Sequence, residues 1–199
     1  MWGSRMENIR SFIAIELPDD IKRELGQLQA RLRTDRIRVR WVDPGSIHLT
    51  LKFLGDIPAS SIEPVGCVLA DCASVVAPFR LGISKLGAFP GFRRAQVVWV
   101  GLCGDLDSVR RLQGLIEAAL SPLGFPAENR PFSPHLTLGR VGDDVSPEDR
   151  SRLGEVVEKT VFECRGAFRV ESLVFMKSQL TNHGAIHTRL SSAELKKGS

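Results

Sequence analysis

The chain of 199 residues has no tyrosine, three tryptophans and only four histidines. Phenolic acid–base chemistry is therefore excluded, and any imidazole chemistry must come from His48, His135, His183 or His187. The four cysteines, at 67, 72, 103 and 164, form no C-x-x-C pair and match no structural zinc spacing. Scattered thiols of this kind read as small buried hydrophobes in a reducing compartment. No carboxylate-rich ligand set is visible either, so neither a metal nor another cofactor is expected. No apolar run approaches the roughly 20 residues that span a bilayer. The opening MWGSRMENIRSF lacks the apolar core of a signal peptide, which makes a cytoplasmic location the expectation. Met6 is an alternative start. Charge of either sign is not in large excess: 27 basic against 23 acidic side chains leave +4, enough to suit a phosphate-bearing ligand but unlike a histone-like tail. No linker or low-complexity segment divides the chain. One domain, or two small lobes sharing a core, fits the length.

What is present is a mixture of strand-like and helix-like runs. IRSFIAIEL (9–17) is rich in β-formers and ends at Pro18; Asp19 and Asp20 then offer an N-cap to a helix whose Ile21, Leu25, Leu28 and Leu32 share a face. RVRWV (38–42) and IHLTLKFLG (47–55) are strand candidates separated by the turn signal Asp43-Pro44-Gly45. A second helix opens at Ser60 or Ser61 and runs to about Val76. Residues 79–89 and 95–102 suggest a hairpin around Pro90-Gly91, and Asp105 introduces a third helix over 106–120. A shorter helix follows Ser146-Pro147-Glu148, and 166–180 and 185–192 close the chain as strands. Hairpins beside helical crossovers argue for an α+β fold and against a doubly wound parallel sheet.

One tetrapeptide occurs twice. HLTL spans 48–51 and again 135–138, followed at the same offset by glycine in HLTLKFLG and HLTLGRVG. On a strand, residues i and i+2 share a face, roughly 7 Å apart. His48 and Thr50 then project together, as do His135 and Thr137, while the leucines anchor each strand to the core. Two imidazoles facing a common space suit general acid–base chemistry. With an ordinary pKa near 6.5, one can be neutral and accept a proton while the other is protonated and donates one. Threonine hydroxyls supply hydrogen bonds to phosphoryl oxygens without adding charge. A strained cyclic phosphodiester is the easiest substrate for such a set. Zinc ligation by two histidines is the competing chemistry, and threonine is a poor ligand for it.

Two H-x-T-x strands resemble the signature of the 2H phosphoesterase superfamily. Their surroundings are similar to the RNA 2′,3′-cyclic phosphodiesterases, also called 2′-5′ RNA ligases: RSFIAIELP (10–18), WVDPGSIHLTLKFLGDI (41–57), AFPGFRRAQVVWVGL (88–102), RPFSPHLTLGRV (130–141) and KSQLTNHGAIHTRL (177–190). The resemblance implies a bilobal fold of two antiparallel sheets with outer helices, related by a pseudo-twofold axis around a central cleft. It implies a single domain over 10–192, with a flexible extension at 1–9 and a tail at 193–199. It implies metal-independent hydrolysis of RNA 2′,3′-cyclic phosphate ends to 2′-phosphomonoesters, with His48 as proton donor, His135 as proton acceptor, and Thr50 and Thr137 binding phosphate. One departure stands out, because the family often has tyrosine where this chain has His187.

Other residues are secondary candidates for substrate binding. Arg140 follows the second motif, although strict alternation turns it away from His135 and only a strand-end twist would bring it back. Lys52 falls on the His48 face by the same alternation. Phe12 is placed to stack on a base or to pack in the core, and His183 and His187 read as structural or rim residues. RLRTDRIRVR (31–40) carries five arginines that either track an RNA backbone or form a solvated face. The expected partner is RNA with cyclic phosphate ends, bound by a monomer away from membranes. The alternatives are a phosphodiesterase for another cyclic or 2′-5′-linked nucleotide, and an RNA-binding module without catalysis.

Overall fold

The protein is described here by a computed structural model covering residues 8–33, 37–162, 166–181 and 184–196. Among the described residues, nine strands form two antiparallel sheets. In chain order the elements are β1 (Asn8–Glu16), α1 (Asp19–Leu32), β2 (Val39–Trp41), β3 (His48–Pro58), α2 (Ile62–Ser74), β4 (Phe79–Phe89), β5 (Val97–Gly104), α3 (Leu106–Leu120), β6 (His135–Val141), α4 (Pro147–Lys159), β7 (Ala167–Val170), β8 (Ser172–Thr181) and β9 (Gly184–Glu194). One sheet has the order β3-β1-β8-β9 and the other β2-β6-β5-β4-β7. This is the α+β, two-sheet architecture expected from the mixed hairpins and crossovers.

Local chemistry explains most boundaries. Ser146 caps α4 by accepting from the Asp149 N–H at 3.1 Å, with Pro147 at the first helical position, and Asp105 caps α3 through the Ser108 N–H at 3.2 Å. The start of α1 differs from expectation. Pro18 occupies the N-cap position and gives no side-chain cap, while Asp19 and Asp20 lie inside the first turn and favour it through the helix dipole. Strand β1 is buried on both faces. Ile13 and Ile15 join the main core, and Phe12 and Ala14 join a smaller cluster with Val174 and Met176 on the other side. That explains its unbroken apolar run, which a half-exposed strand would alternate.

The run 166–180 is two strands, not one. It breaks at Glu171: β7 pairs with β4 in one sheet and β8 pairs with β1 in the other. Both halves bury apolar side chains, and hydrophobic alternation carries no information about which sheet a strand joins. Strand β9 continues to Glu194, and Ala193 and Leu195 are buried, so the last sheet strand runs past the expected boundary at 192. Among the described residues no helix is long and apolar enough to cross a membrane.

The helices cross between lobes. α1 follows a strand of the first sheet yet reaches the second: its buried Gln29 donates from Nε2 to the carbonyls of Val42, at 2.7 Å, and Leu138, at 2.9 Å. α3 follows β5 of the second sheet yet reaches the first, where Glu117 accepts from Lys52 of β3 at 2.5 Å. Each β-α-β passage therefore ties one sheet to the other. The two H-x-T-x strands, β3 and β6, come into contact where the sheets meet.

Candidate active site

The register of each sheet decides what faces the cleft. In the first sheet His48 pairs with Glu16, Thr50 with Ala14, Lys52 with Ile13 and Phe53 with Phe12. Leu51 is thus an extra residue, a β-bulge immediately after His-Leu-Thr. In the second sheet His135 pairs with Gly101, Thr137 with Trp99, Gly139 with Val98 and Arg140 with Val97, leaving Leu138 as the extra residue. The same bulge falls on the same residue of both HLTL copies. It reverses the alternation that follows, so Phe53 and Arg140 rejoin the face of the histidines while Lys52 and Gly139 turn inward.

Two sequence expectations change accordingly. Lys52 is not on the His48 face. It is 3% exposed, and its ammonium is held by Glu117 and by the Pro126 carbonyl at 2.8 Å. Strict alternation failed there because the bulge inserts one residue. Arg140, for the same reason, shares the face of His135 and Thr137. At the inward position of the second bulge only glycine fits, since a Cβ on Gly139 would come within 2.8 Å of Val39 Cγ1 and 3.0 Å of Trp41 Cε3. Phe53, which the sequence reading passed over, is 59% exposed on the His48 side. A phenylalanine three residues after the motif threonine was the available signal, and it needed the bulge to be interpretable.

Both imidazoles are anchored alike. His48 Nδ1 lies 2.8 Å from the Ser46 carbonyl, and His135 Nδ1 lies 2.8 Å from the Ser133 carbonyl. A carbonyl can only accept, so each ring carries its proton on Nδ1 and leaves Nε2 as the reactive nitrogen. Thr50 and Thr137 are half-buried beside them, and neither hydroxyl is bonded to another protein group among the described residues.

The surroundings of the two rings differ. Phe12 stacks on His48 with centroids 4.5 Å apart and planes at 19°, and His187 meets His48 edge-on at 5.2 Å. Phe12 is 3% exposed, so its ring backs the histidine and is closed to a ligand. Burial drives the His48 pKa from 6.5 down to about 4, helped by the facing His187; the Ser46 carbonyl and Glu16 pull the other way. Burial also holds the His187 pKa below its usual value, and His187 Nδ1 is buried without a hydrogen-bond partner. Glu16, across from His48 in register, pairs with Arg189 of β9. Ala14, Glu16, Lys22, Ser46, Val174 and His187 line a hollow beside His48. His135 meets the edges of Phe89 at 5.0 Å and Trp99 at 6.2 Å. Among the described residues no group of three or more His, Cys, Asp or Glu side chains is arranged to hold a metal ion. His183, Cys164 and Arg36 lie outside the described residues.

A cleft with paired His-x-Thr strands has close counterparts among known proteins. The family model for LigT-like phosphoesterases matches residues 15–99 and again 101–187, each match running through strands of both sheets. An RNA 2′,3′-cyclic phosphodiesterase of Methanothermobacter thermautotrophicus is 31% identical over 180 residues, covering 90% of this chain and 95% of the relative. A protein of the same name from Aquifex aeolicus is 27% identical over 184 residues, covering 92% and 95%. Among solved structures, TT0787 of Thermus thermophilus superposes with a TM-score of 0.79 at 25% identity, over 95% of this chain and 99% of that one. Escherichia coli LigT in complex with 3′-AMP gives 0.76 at 24% identity, over 96% and 100%, and shares the fold. With two tandem matches spanning nearly the whole length, the chain belongs to the LigT-like phosphoesterase family.

Proposed function

We propose that the protein hydrolyses RNA 2′,3′-cyclic phosphodiester ends to 2′-phosphomonoesters, with His48 as general acid and His135 as general base. The observation that carries this is the duplicated, identically anchored imidazole: two rings, each fixed through Nδ1 on a carbonyl two residues upstream and each flanked by an open threonine hydroxyl. His135 Nε2 takes a proton from water as its oxygen attacks phosphorus. The bond from phosphorus to O3′ breaks, and His48 Nε2 delivers a proton to O3′. Thr50 and Thr137 donate to the non-bridging oxygens, and Arg140 supplies positive charge on the same face. The names of the relatives support RNA as the substrate class. The exposed Phe53 ring gives a nucleoside an apolar surface beside His48. A 5′-hydroxyl that takes the place of water as nucleophile, with O3′ leaving as before, gives a 2′-5′ linkage; the reverse of that step cleaves the linkage, and excess water opposes ligation.

The test is turnover of a short RNA ending in a 2′,3′-cyclic phosphate, in excess EDTA, with the product isomer identified by phosphorus NMR. Wild type should yield the 2′-phosphate, and His48→Ala and His135→Ala should each lose about 10²–10⁴-fold. Loss of wild-type turnover in EDTA would sink the mechanism. Failure on this RNA with turnover of another cyclic nucleotide would move the assignment to that substrate.

A further inference from the structure

The arginine run at 31–40 is not one electrostatic face. Arg31 donates to the Val161 carbonyl at 2.9 Å, Arg33 lies over the Trp41 ring at 5.8 Å, and Arg38 pairs with Asp144 at 3.0 Å. Unmatched positive charge beside the site comes instead from the first turn of α1. Lys22 is half-buried and lines the hollow next to His48. Its ammonium has no hydrogen-bond or ion-pair partner among the described residues. Glu16 shares the hollow but pairs with Arg189, so that couple is neutral and Lys22 is left uncompensated. The hollow has a volume of about 110 Å³. One water needs only roughly 10–15 Å³, so a larger group fits.

His187 brings a second donor to the same hollow from β9. It stands two residues from Arg189, whose partner Met176 is opposite Phe12, so both project onto the face of the Phe12 and His48 rings. Its Nδ1 is buried without a partner, which leaves Nε2 as the nitrogen through which the ring meets a ligand. With Nδ1 shut away from any acceptor, the proton of the neutral ring belongs on Nε2, and an N–H can only donate. Val174 and Met176 add an apolar floor. An uncompensated ammonium and an N–H donor above apolar carbon are completed by an anion. A cation is opposed there by Lys22, and the one carboxylate is already engaged by Arg189.

The mechanism above says where that anion sits on the substrate. His48 delivers its proton to O3′, so the terminal ribose lies against this ring. O3′ stands between the ribose and the reacting phosphorus, which Thr50, Thr137 and Arg140 hold. On the ribose side, only C3′, C4′, C5′ and O5′ separate O3′ from a phosphorus carried on the 5′ oxygen. A phosphoryl group there is within reach of a hollow that His48 itself lines. Resting on the function proposed above, we propose that Lys22 and His187 Nε2 bind the phosphoryl group on O5′ of the terminal nucleotide, which in RNA is the last internucleotide phosphodiester. The enzyme is thereby selective for 5′-phosphorylated and oligonucleotide substrates over 5′-hydroxyl nucleoside 2′,3′-cyclic phosphates.

The experiment compares kcat and KM in wild type, Lys22→Gln and Lys22→Arg on a nucleoside 2′,3′-cyclic phosphate, its 5′-phosphorylated form, and a dinucleotide ending in the same cyclic phosphate. A further dinucleotide carries an uncharged methylphosphonate linkage. Wild type should prefer both substrates that carry a 5′ phosphoryl group, and Lys22→Gln should reduce that preference about tenfold through KM. The salt dependence of dinucleotide binding should lose about one phosphate contact in Lys22→Gln and keep it in Lys22→Arg. Wild type should handle the methylphosphonate about as Lys22→Gln handles the natural dinucleotide. An unchanged preference in Lys22→Gln, or equal losses with and without the 5′ phosphoryl group, overturns the subsite. A methylphosphonate used as well as the natural dinucleotide also overturns it, since the gain would then come from the second nucleoside. Absence of wild-type turnover on every substrate overturns the function on which the subsite rests.

Discussion

His48 is neutral at pH 7 in the free protein, because burial holds its pKa at about 4. A general acid needs a proton there, and a phosphodiester anion beside Nε2 is the group that can restore it. Carbon–proton NMR of the histidine rings should show His48 titrating near pH 4 in the free protein and moving upward when 2′-AMP is bound. Titration near 6.5 without ligand would count against the burial effect, and no movement on binding would transfer the proposed acid role to His135. The same depression has a stability consequence. The unfolded chain takes up a proton near pH 6.5 and the folded chain resists until about 4, so stability is complete above 6.5 and declines as pH falls through that window. The loss is on the order of 3 kcal/mol at most. His48→Phe should flatten this part of the urea-denaturation profile, and an unaltered slope would count against the burial effect.

At the scale of elements, the twin bulges hold the site in phase. Each is braced by a buried polar side chain from a helix: Gln29 of α1 donates to the carbonyl of the bulged Leu138, and Glu117 of α3 holds Lys52 next to the bulged Leu51. Gln113 donates to the other Glu117 oxygen at 3.0 Å, which completes that brace. Removing one member of a buried ion pair strands the other charge. Lys52→Met should therefore cost about 3–5 kcal/mol in denaturant unfolding, while Lys52→Met combined with Glu117→Leu should recover most of that loss. A double variant no better than the single one would show that the loss comes from the missing brace itself and not from a stranded charge. The bulges were not legible in the sequence because both HLTL copies alternate perfectly up to the point where the extra residue is inserted.

At the scale of the whole molecule, each lobe is completed by a helix that the other lobe's strand leads into. Gln29 joins α1 to β6 and Glu117 joins α3 to β3, so neither sheet keeps its bulge supported alone. The two lobes should consequently unfold as one cooperative unit. Calorimetry should give a single transition with equal calorimetric and van't Hoff enthalpies. Two separable transitions would mean that the crossing helices carry little of the coupling.

What local chemistry could determine was visible from the residues alone. The duplicated His-x-Thr faces, the α+β class, the span of α3 and the capped start of α4 all follow from side-chain period, capping and turn chemistry, which act over a few residues. What only the tertiary structure decided depends on pairing between distant segments. Register placed Lys52 in the core and Arg140 on the face of His135 and Thr137, assigned β7 and β8 to different sheets, and set Arg40 opposite Arg140. A one-residue insertion reverses every side chain beyond it, and nothing in an alternating strand announces where its partner makes that insertion.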